Sequence, residues 1–382
     1  MRNKIIDFLD LGAQPLANNF INKKKLLNKE RKYRLIICFN KINKLVSIKK
    51  IISSNDMFND KYPYRSSTSK TMRVHLKKLS NIIKKSKPKK ILEIGSNDGC
   101  FIKNFEKNKT IGIEPCANVE KITKKNNYNT YPEYWTPKLA SKIIKKHNKV
   151  DLIFSSNTIS HIKNLDDVFK GINIALDDKG IFIIEDPSLL ECLKKNTYDQ
   201  FYNEHIYVFS YLGLSNALKK HNLEIFKIEK LEIHGGSNRY YIKKNSNVLK
   251  LHKSVHNHMY EEKKFGLNNL KAYTNFAKRV KLSKKKLLHI FKNCKKNNKK
   301  VVGYGATAKS VTILNYCNIN NKMIDYFIDT TPDKQNKYTP GTKILIKKSV
   351  NLIDDNVDFV FLGAWNFQKE IFNKEKKYIK NG

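Results

Sequence analysis

KKILEIGSNDG, residues 89–99, is the stretch that decides the fold. Ile91, Leu92 and Ile94 form a short apolar run between lysines and a glycine, the pattern of a buried strand. Gly95 permits a sharp turn, and Gly99 permits a following helix, expected around Ile102 and Phe105, to pack against the strand. A strand running through a small-residue loop into a helix opens a nucleotide-type α/β unit. Upstream, Met72, Leu76, Leu79 and Ile83 recur at helical spacing from Thr68 until Pro88. Downstream, strand-like runs follow at TIGIEP (110–115), VDLIFSS (150–156) and GIFIIEDP (180–187), with helical stretches between them. That alternation predicts a parallel sheet covered on both faces.

The loop is not that of a dinucleotide-binding fold, which presents GxGxxG to a pyrophosphate. Asn97 and Asp98 stand in its place. A carboxylate there repels a diphosphate and welcomes a ligand carrying ammonium and sulfonium charges. Glu114, at the end of the next strand, can accept from both ribose hydroxyls. Acidic residues at both places favour S-adenosylmethionine over NAD.

A second loop of similar design, GYGATAKSVTILNYC, occupies residues 303–317 and follows a strand from Val301. Further strands are expected at MIDYFID (323–329) and NVDFVFLGAW (356–365). Between the two α/β units, the helix 210–222 precedes two runs, 223–233 and 238–244, that read as strands paired around HGGS. Residues 255–298 read as one long amphipathic helical region marked by Met259, Leu267, Leu270, Tyr273, Ala277, Val280 and Leu287. Residues 1–60 show no sustained period of either kind.

The chain carries a formal charge of +41, but as 68 Lys against 7 Arg. A nucleic-acid groove reader relies on Arg, whose planar fork matches phosphate and guanine edges. The basic faces are therefore read as solvated, and no nucleic-acid partner is expected. No run approaches the roughly 20 apolar residues that span a bilayer, and the N-terminus lacks a cleavage signal. Six scattered Cys suit a reducing compartment. A cytoplasmic protein without membrane association is expected.

YPYRSS (62–67), EIGSNDG (93–99), NTISHI (157–162), EDP (185–187), YNEHIYVFS (202–210), HGGSNRY (234–240), GYGATAKS (303–310) and DTTPDKQNKYTPG (329–341) occur in that order. From FLDLGAQPL to KEKKYIK the chain resembles the deoxysugar C-methyltransferases, which methylate C3 of nucleotide-linked 4-keto-6-deoxysugars with S-adenosylmethionine. The resemblance implies a degenerate N-terminal module (1–62), a Rossmann-like S-adenosylmethionine-binding methyltransferase domain (63–222), and a second Rossmann-like α/β domain for the nucleotide-sugar (223–382). It implies that Tyr64, Glu93, Gly95, Asn97, Asp98, Gly99, Glu114 and Asn157 hold the cofactor. His205 is implied as the base that removes the C3 proton, with Tyr202 as an alternative base or oxyanion donor. Glu204 would orient or stabilise His205, and His161 would line the site. His234, Arg239, Tyr304, Lys309, Asp329, Lys334 and Asn336 are implied contacts to the nucleotide-sugar. Alternatives are methyl transfer to another sugar position or atom, an RNA-binding protein or RNA methyltransferase, and a non-catalytic homologue.

The sequence departs from the family in three places. Members begin with a zinc module built from two CxxC pairs. Here the first pair is absent and Lys41 stands where the partner of Cys38 would be, so no metal is expected and the N-terminal region must hold by packing alone. Asn203 replaces a residue that is commonly Asp. After KKYIKNG, members continue through a further strand, whose loss would leave an exposed sheet edge.

Overall fold

The computed structural model describes residues 4–380. Ile91–Ile94 is buried at every position and sits near the middle of a seven-stranded sheet. In spatial order the strands are Leu223–Leu231, Ser237–Lys244, Leu176–Pro187, Val150–Ser156, Ile91–Ile94, Thr110–Ile113 and Thr130–Tyr131. The last five run parallel, and Ser237–Lys244 is antiparallel to both its neighbours. The strands 223–231 and 237–244 therefore complete the first sheet, and the boundary drawn after residue 222 cuts through it. The helix Lys70–Lys84 buries Met72, Leu76, Leu79 and Ile83, the stripe its period marks.

The helix expected after the first loop is absent. Only a single 3-10 turn, Ile102–Asn104, follows. The Asn104 side-chain amide donates to the carbonyls of Cys100 and Phe101, a local bond that competes with helix propagation. The long helical region is two helices, Lys253–Phe265 and Leu270–Lys296, separated at Gly266.

The second α/β unit is a four-stranded parallel sheet in the order Ile346–Lys347, Phe327–Ile328, Val301–Tyr304, Phe359–Leu362. The N-terminal module is a third sheet. Ile5–Pro15 pairs antiparallel with Lys32–Asn40, which pairs with Val46–Ile48, which pairs with Tyr207–Val208 from the YNEHIYVFS stretch. Ile21–Asn22 pairs with Lys337–Tyr338 of the C-terminal unit. Leu11, Leu35, Ile37 and Phe39 share one core with Tyr273, Phe276, Leu314 and Phe327. The rings of Phe39 and Tyr273 stack at 4.4 Å. Packing thus ties the module into both other units. Cys38 is buried and donates to Asp7 at 3.2 Å, and burial pushes its thiol up to about 12. Among the described residues no group of three or more His, Cys, Asp or Glu is arranged around a metal site, and no helix is long and apolar enough to cross a membrane.

Candidate active site

The parallel strands of both sheets aim their carboxyl ends at one cavity of about 540 Å³, the place where open α/β sheets collect ligands. The N-terminal module closes it from a third side.

On the methyltransferase side, Gly95 has φ +75°, and a Cβ there would sit 2.1 Å from Thr158 Oγ1. Replacing Gly95 by Ala is expected to strain the loop by about 1–3 kcal/mol and to weaken S-adenosylmethionine binding by roughly tenfold or more. Calorimetry checks it, with Gly12→Ala as control: Gly12 has the same φ but open space around it. An unchanged affinity in Gly95→Ala would remove the loop from the cofactor site. The Asn97 N–H donates to Glu114 Oε2 at 2.9 Å and the Cys116 N–H to Oε1 at 2.8 Å, so the strand-end carboxylate is fixed. Burial raises the pKa of Glu114 and pushes Glu93 well above the usual carboxylate range. Glu93 Oε2 is buried without a partner. Asn157, at φ 50°, donates its N–H to the Glu185 carbonyl and lines the cavity beside Tyr64. Two buried carboxyl groups at strand ends, one with an oxygen left unpaired, suit a ligand bringing an ammonium group and ribose hydroxyls.

Two expected cofactor residues lie elsewhere. Asp98 accepts from the Ser67 N–H at 3.2 Å and from the Ser67 hydroxyl. Together with Asn97 Oδ1, which accepts from the Ser66 N–H at 2.8 Å, it fastens the YPYRSS segment across the cavity mouth. Gly99 packs on Thr123 of the helix Ala117–Lys125 and does not line the cavity.

His205 lines the cavity, is 4 % exposed and is held at both ring nitrogens. Its Nδ1 lies 2.7 Å from the Gln200 carbonyl, which can only accept, so Nδ1 carries the proton. Nε2 is then the acceptor, and the Tyr202 hydroxyl donates to it at 2.5 Å. Burial, with His161 nearby, pushes the His205 pKa well below the ordinary imidazole value, so the ring is neutral. His161 packs between His205 (5.0 Å) and Phe58 (5.5 Å), and burial lowers its pKa to about 4. The Glu204 carboxyl makes no hydrogen bond to the His205 ring among the described residues. It accepts from Asn18 Nδ2 at 2.7 Å and from the Tyr62 hydroxyl at 3.1 Å, and burial pushes it up to about 7. The Gln200 carbonyl takes the orienting role expected of Glu204. Asn203 donates to the Pro15 carbonyl at 3.1 Å, a bond an ionised Asp could not make.

On the C-terminal side, Gly305 approaches Ala364 so closely that a Cβ would lie 2.3 Å from the Ala364 Cβ. Thr307 caps the helix Ala308–Cys317 with a reciprocal Ser310 bond. Lys309 reaches back into the cavity, donates to the His234 carbonyl at 3.1 Å and lies 5.1 Å over the Trp365 ring. Burial lowers its pKa against the pull of Asp199. Asp329 accepts from the Ala306 N–H (2.9 Å) and from Lys334 Nζ (3.3 Å), and both residues line the cavity. The Tyr304 hydroxyl donates to Glu375 at 2.8 Å. His234 lines the cavity, its Nε2 unpaired.

Arg239 and Asn336 do not reach the cavity. Arg239 donates to Glu185 at 2.5 Å and to Glu229 at 2.8 Å, its cross-strand neighbours on either side. Asn336, at φ 61°, donates its N–H to the Ile346 carbonyl and serves a turn. Conversely, Asn18, Phe58, Tyr62 and Gln200 also line the cavity, and Trp365 lies under Lys309, though the sequence alone does not mark them as site residues. Only Tyr62, inside YPYRSS, and Gln200, two residues before Tyr202, carried any local hint.

A family model for a methyltransferase domain matches residues 64–228, and one described as the C-methyltransferase C-terminal domain matches residues 232–382. C-methyltransferase NovU of Streptomyces niveus is 26 % identical over 383 residues, covering 99 % of this chain and 91 % of NovU. Among solved structures, an S-adenosylmethionine-dependent methyltransferase of Thermotoga maritima aligns with 40 % of this chain and 80 % of its own, at 20 % identity and a TM-score of 0.31. The plantazolicin methyltransferase BpumL aligns with 45 % of this chain and 84 % of its own, at 13 % identity and a TM-score of 0.35. Two adjoining domain matches and a relative aligned over nearly the whole chain, on a cavity with acidic strand ends, give one conclusion: this chain is an S-adenosylmethionine-dependent methyltransferase whose C-terminal region is similar to the C-methyltransferase C-terminal domain.

Proposed function

We propose that the acceptor is a nucleotide-linked 4-keto-6-deoxysugar and that the methyl group goes to C3 through an enolate. The observation that carries this reading is the meeting of three parts in one cavity: acidic strand ends for the cofactor, the Tyr202–His205 pair, and the Lys309 ammonium at the start of a capped helix. A helix N-terminus with a buried lysine suits a diphosphate. Glu93, Glu114, Asn97 and Asn157 would hold S-adenosylmethionine, which supplies an electrophilic methyl group when bound.

A ketone at C4 acidifies the C3–H bond, so the chain needs a proton acceptor and a donor to the developing enolate oxygen. Neutral His205 has one lone pair, on Nε2, and Tyr202 already donates to it. Proton removal through this pair leaves the C3 proton on the Tyr202 oxygen and passes the phenol proton to Nε2, giving an imidazolium still bonded to the Gln200 carbonyl. Glu204 is a second candidate acceptor, favoured by a carboxyl pushed up to about 7, close to the working pH. Burial depresses the basicity of His161, which suits it to packing against His205 and hydrogen bonding to substrate.

The test uses purified protein, methyl-labelled S-adenosylmethionine and dTDP-, GDP- and CDP-linked 4-keto-6-deoxysugars. Mass spectrometry should find one added methyl, and NMR should place it on C3. A methyl on oxygen or on another carbon, or no transfer to any of these sugars, would overturn the reading.

A further inference from the structure

Asn18 belongs to the N-terminal module, 186 residues before Glu204, yet its Nδ2 donates to Glu204 Oε1 at 2.7 Å. The other carboxylate oxygen accepts from the Tyr62 hydroxyl at 3.1 Å. All three residues line the cavity, and Glu204 is 4 % exposed. No cation faces it among the described residues. The titratable groups around it are Tyr62 from the YPYRSS segment, Tyr202 and His205 from its own loop, and Cys116 from the turn after Ile113. Burial holds the hydroxyls and the thiol protonated and the imidazole neutral. A carboxylate removed from water with no ion partner keeps its charge only through hydrogen bonds to that charge. Here there are two, and one of them comes from the module.

The anchoring of Asn18 supports this use. Ala17 and Phe20 beside it are buried, and Ile21 pairs with Tyr338. The same segment meets the same loop a second time, where Asn203 donates to the Pro15 carbonyl. Tyr207–Val208, just beyond His205, forms the last strand of the module's own sheet. Two side-chain links thus fix residues 15–18 against residues 203–204, and a strand pairing fixes residues 46–47 of the same module against residues 207–208.

We propose that Asn18 is a positioning residue of the methyl-transfer site: with Tyr62 it orients the Glu204 carboxyl into the cavity and favours its ionised form. In this chain the N-terminal module is a working part of the site as well as a packing unit. The catalytic weight of that carboxylate rests on the proposed C-methyl transfer; its ionisation does not.

The test is a titration of the full chain carrying ¹³C at the glutamate side-chain carboxyl, with the Glu204 signal identified by its loss in Glu204→Gln. Asn18→Ala should raise the midpoint of Glu204 by about one pH unit, the size expected for one lost hydrogen bond to a charge. Asn18→Asp, which keeps the shape and adds a like charge, should raise it further. S-adenosylmethionine affinity should stay within about twofold in both, which separates the effect from misfolding. A Glu204 midpoint unmoved in the isosteric Asp variant overturns the proposal, whether or not the Ala variant folds. Once an acceptor is in hand, the acidic limb of kcat/KM should move by the same amount. A limb that stays put while the midpoint moves overturns the catalytic part. Failure of the wild-type chain to methylate any sugar is a separate result: it counts against the proposed acceptor and leaves the titration to decide the role of Asn18.

Discussion

His205→Ala is expected to lower kcat by roughly a hundredfold or more, while S-adenosylmethionine affinity stays within about twofold. The substitution deletes the one acceptor that the Tyr202 hydroxyl has among the described residues and leaves the Gln200 carbonyl without the His205 donor. The phenol then has no lone pair to pass its proton to, and in the proposed reaction the C3 proton has no route off the substrate through this pair. Single-turnover quench-flow with labelled cofactor isolates the chemical step from product release. A loss below about threefold would move proton removal away from His205, and Glu204→Gln then becomes the informative variant.

The pH profile separates the same two candidates by sign. A base works in its deprotonated form. Burial pushes the Glu204 carboxyl up to about 7, so a Glu204 base gives a kcat/KM that climbs as pH rises to about 7 and levels above it. His205 is pushed well below its ordinary value by burial, so a His205 base gives a flat profile through neutrality that falls only in acid. The raised Glu204 carboxyl also bears on stability. Its folded value lies above the ordinary value of 4.5, so it contributes stability below that pH that is lost as pH rises through about 7.

The parts of this molecule legible in its sequence are those set by local pattern. The strand Ile91–Ile94 and the stripe on Lys70–Lys84 follow from periodicity alone, and Gly95 follows from the turn between strand and loop. Ile5–Pro15 is an eleven-residue strand that no alternation reveals. Its pairing with Lys32–Asn40 shifts register between Asp7 and Leu9 and again between Asp10 and Ala13, and each shift resets the in–out order. Asn104 stopped a helix that apolar spacing alone would extend. The hairpin at 223–244 looks self-contained because its turn is local, but its second strand finds a partner some sixty residues upstream at Leu176–Pro187. Such non-local pairings hid the site residues as well. Asn18 meets Glu204 only because three sheets converge on one cavity, and no spacing in the chain encodes that meeting.

Arg239 shows the same limit with a large expected consequence. Beside two glycines and a histidine in HGGSNRY it reads as a sugar or phosphate contact. In the sheet its register places it between Glu185 and Glu229, with Glu185 fully buried and also bonded to His75 at 2.8 Å. Arg239→Ala is therefore expected to cost about 3–5 kcal/mol of stability, because removing one partner strands a carboxylate in a medium that cannot solvate it. A surface or ligand-facing arginine would cost a small fraction of that. Pairing Arg239→Met with Glu185→Gln removes both charges at once and should recover much of the loss, since what destabilises is the unpaired charge more than the missing bond. Urea unfolding of the single and double variants measures both terms, and KM for the proposed sugar acceptor should stay within about twofold of wild type in the double variant. A single variant that unfolds like wild type but shows a KM raised tenfold would return Arg239 to the substrate and would mean that the sheet pairing does not hold in solution.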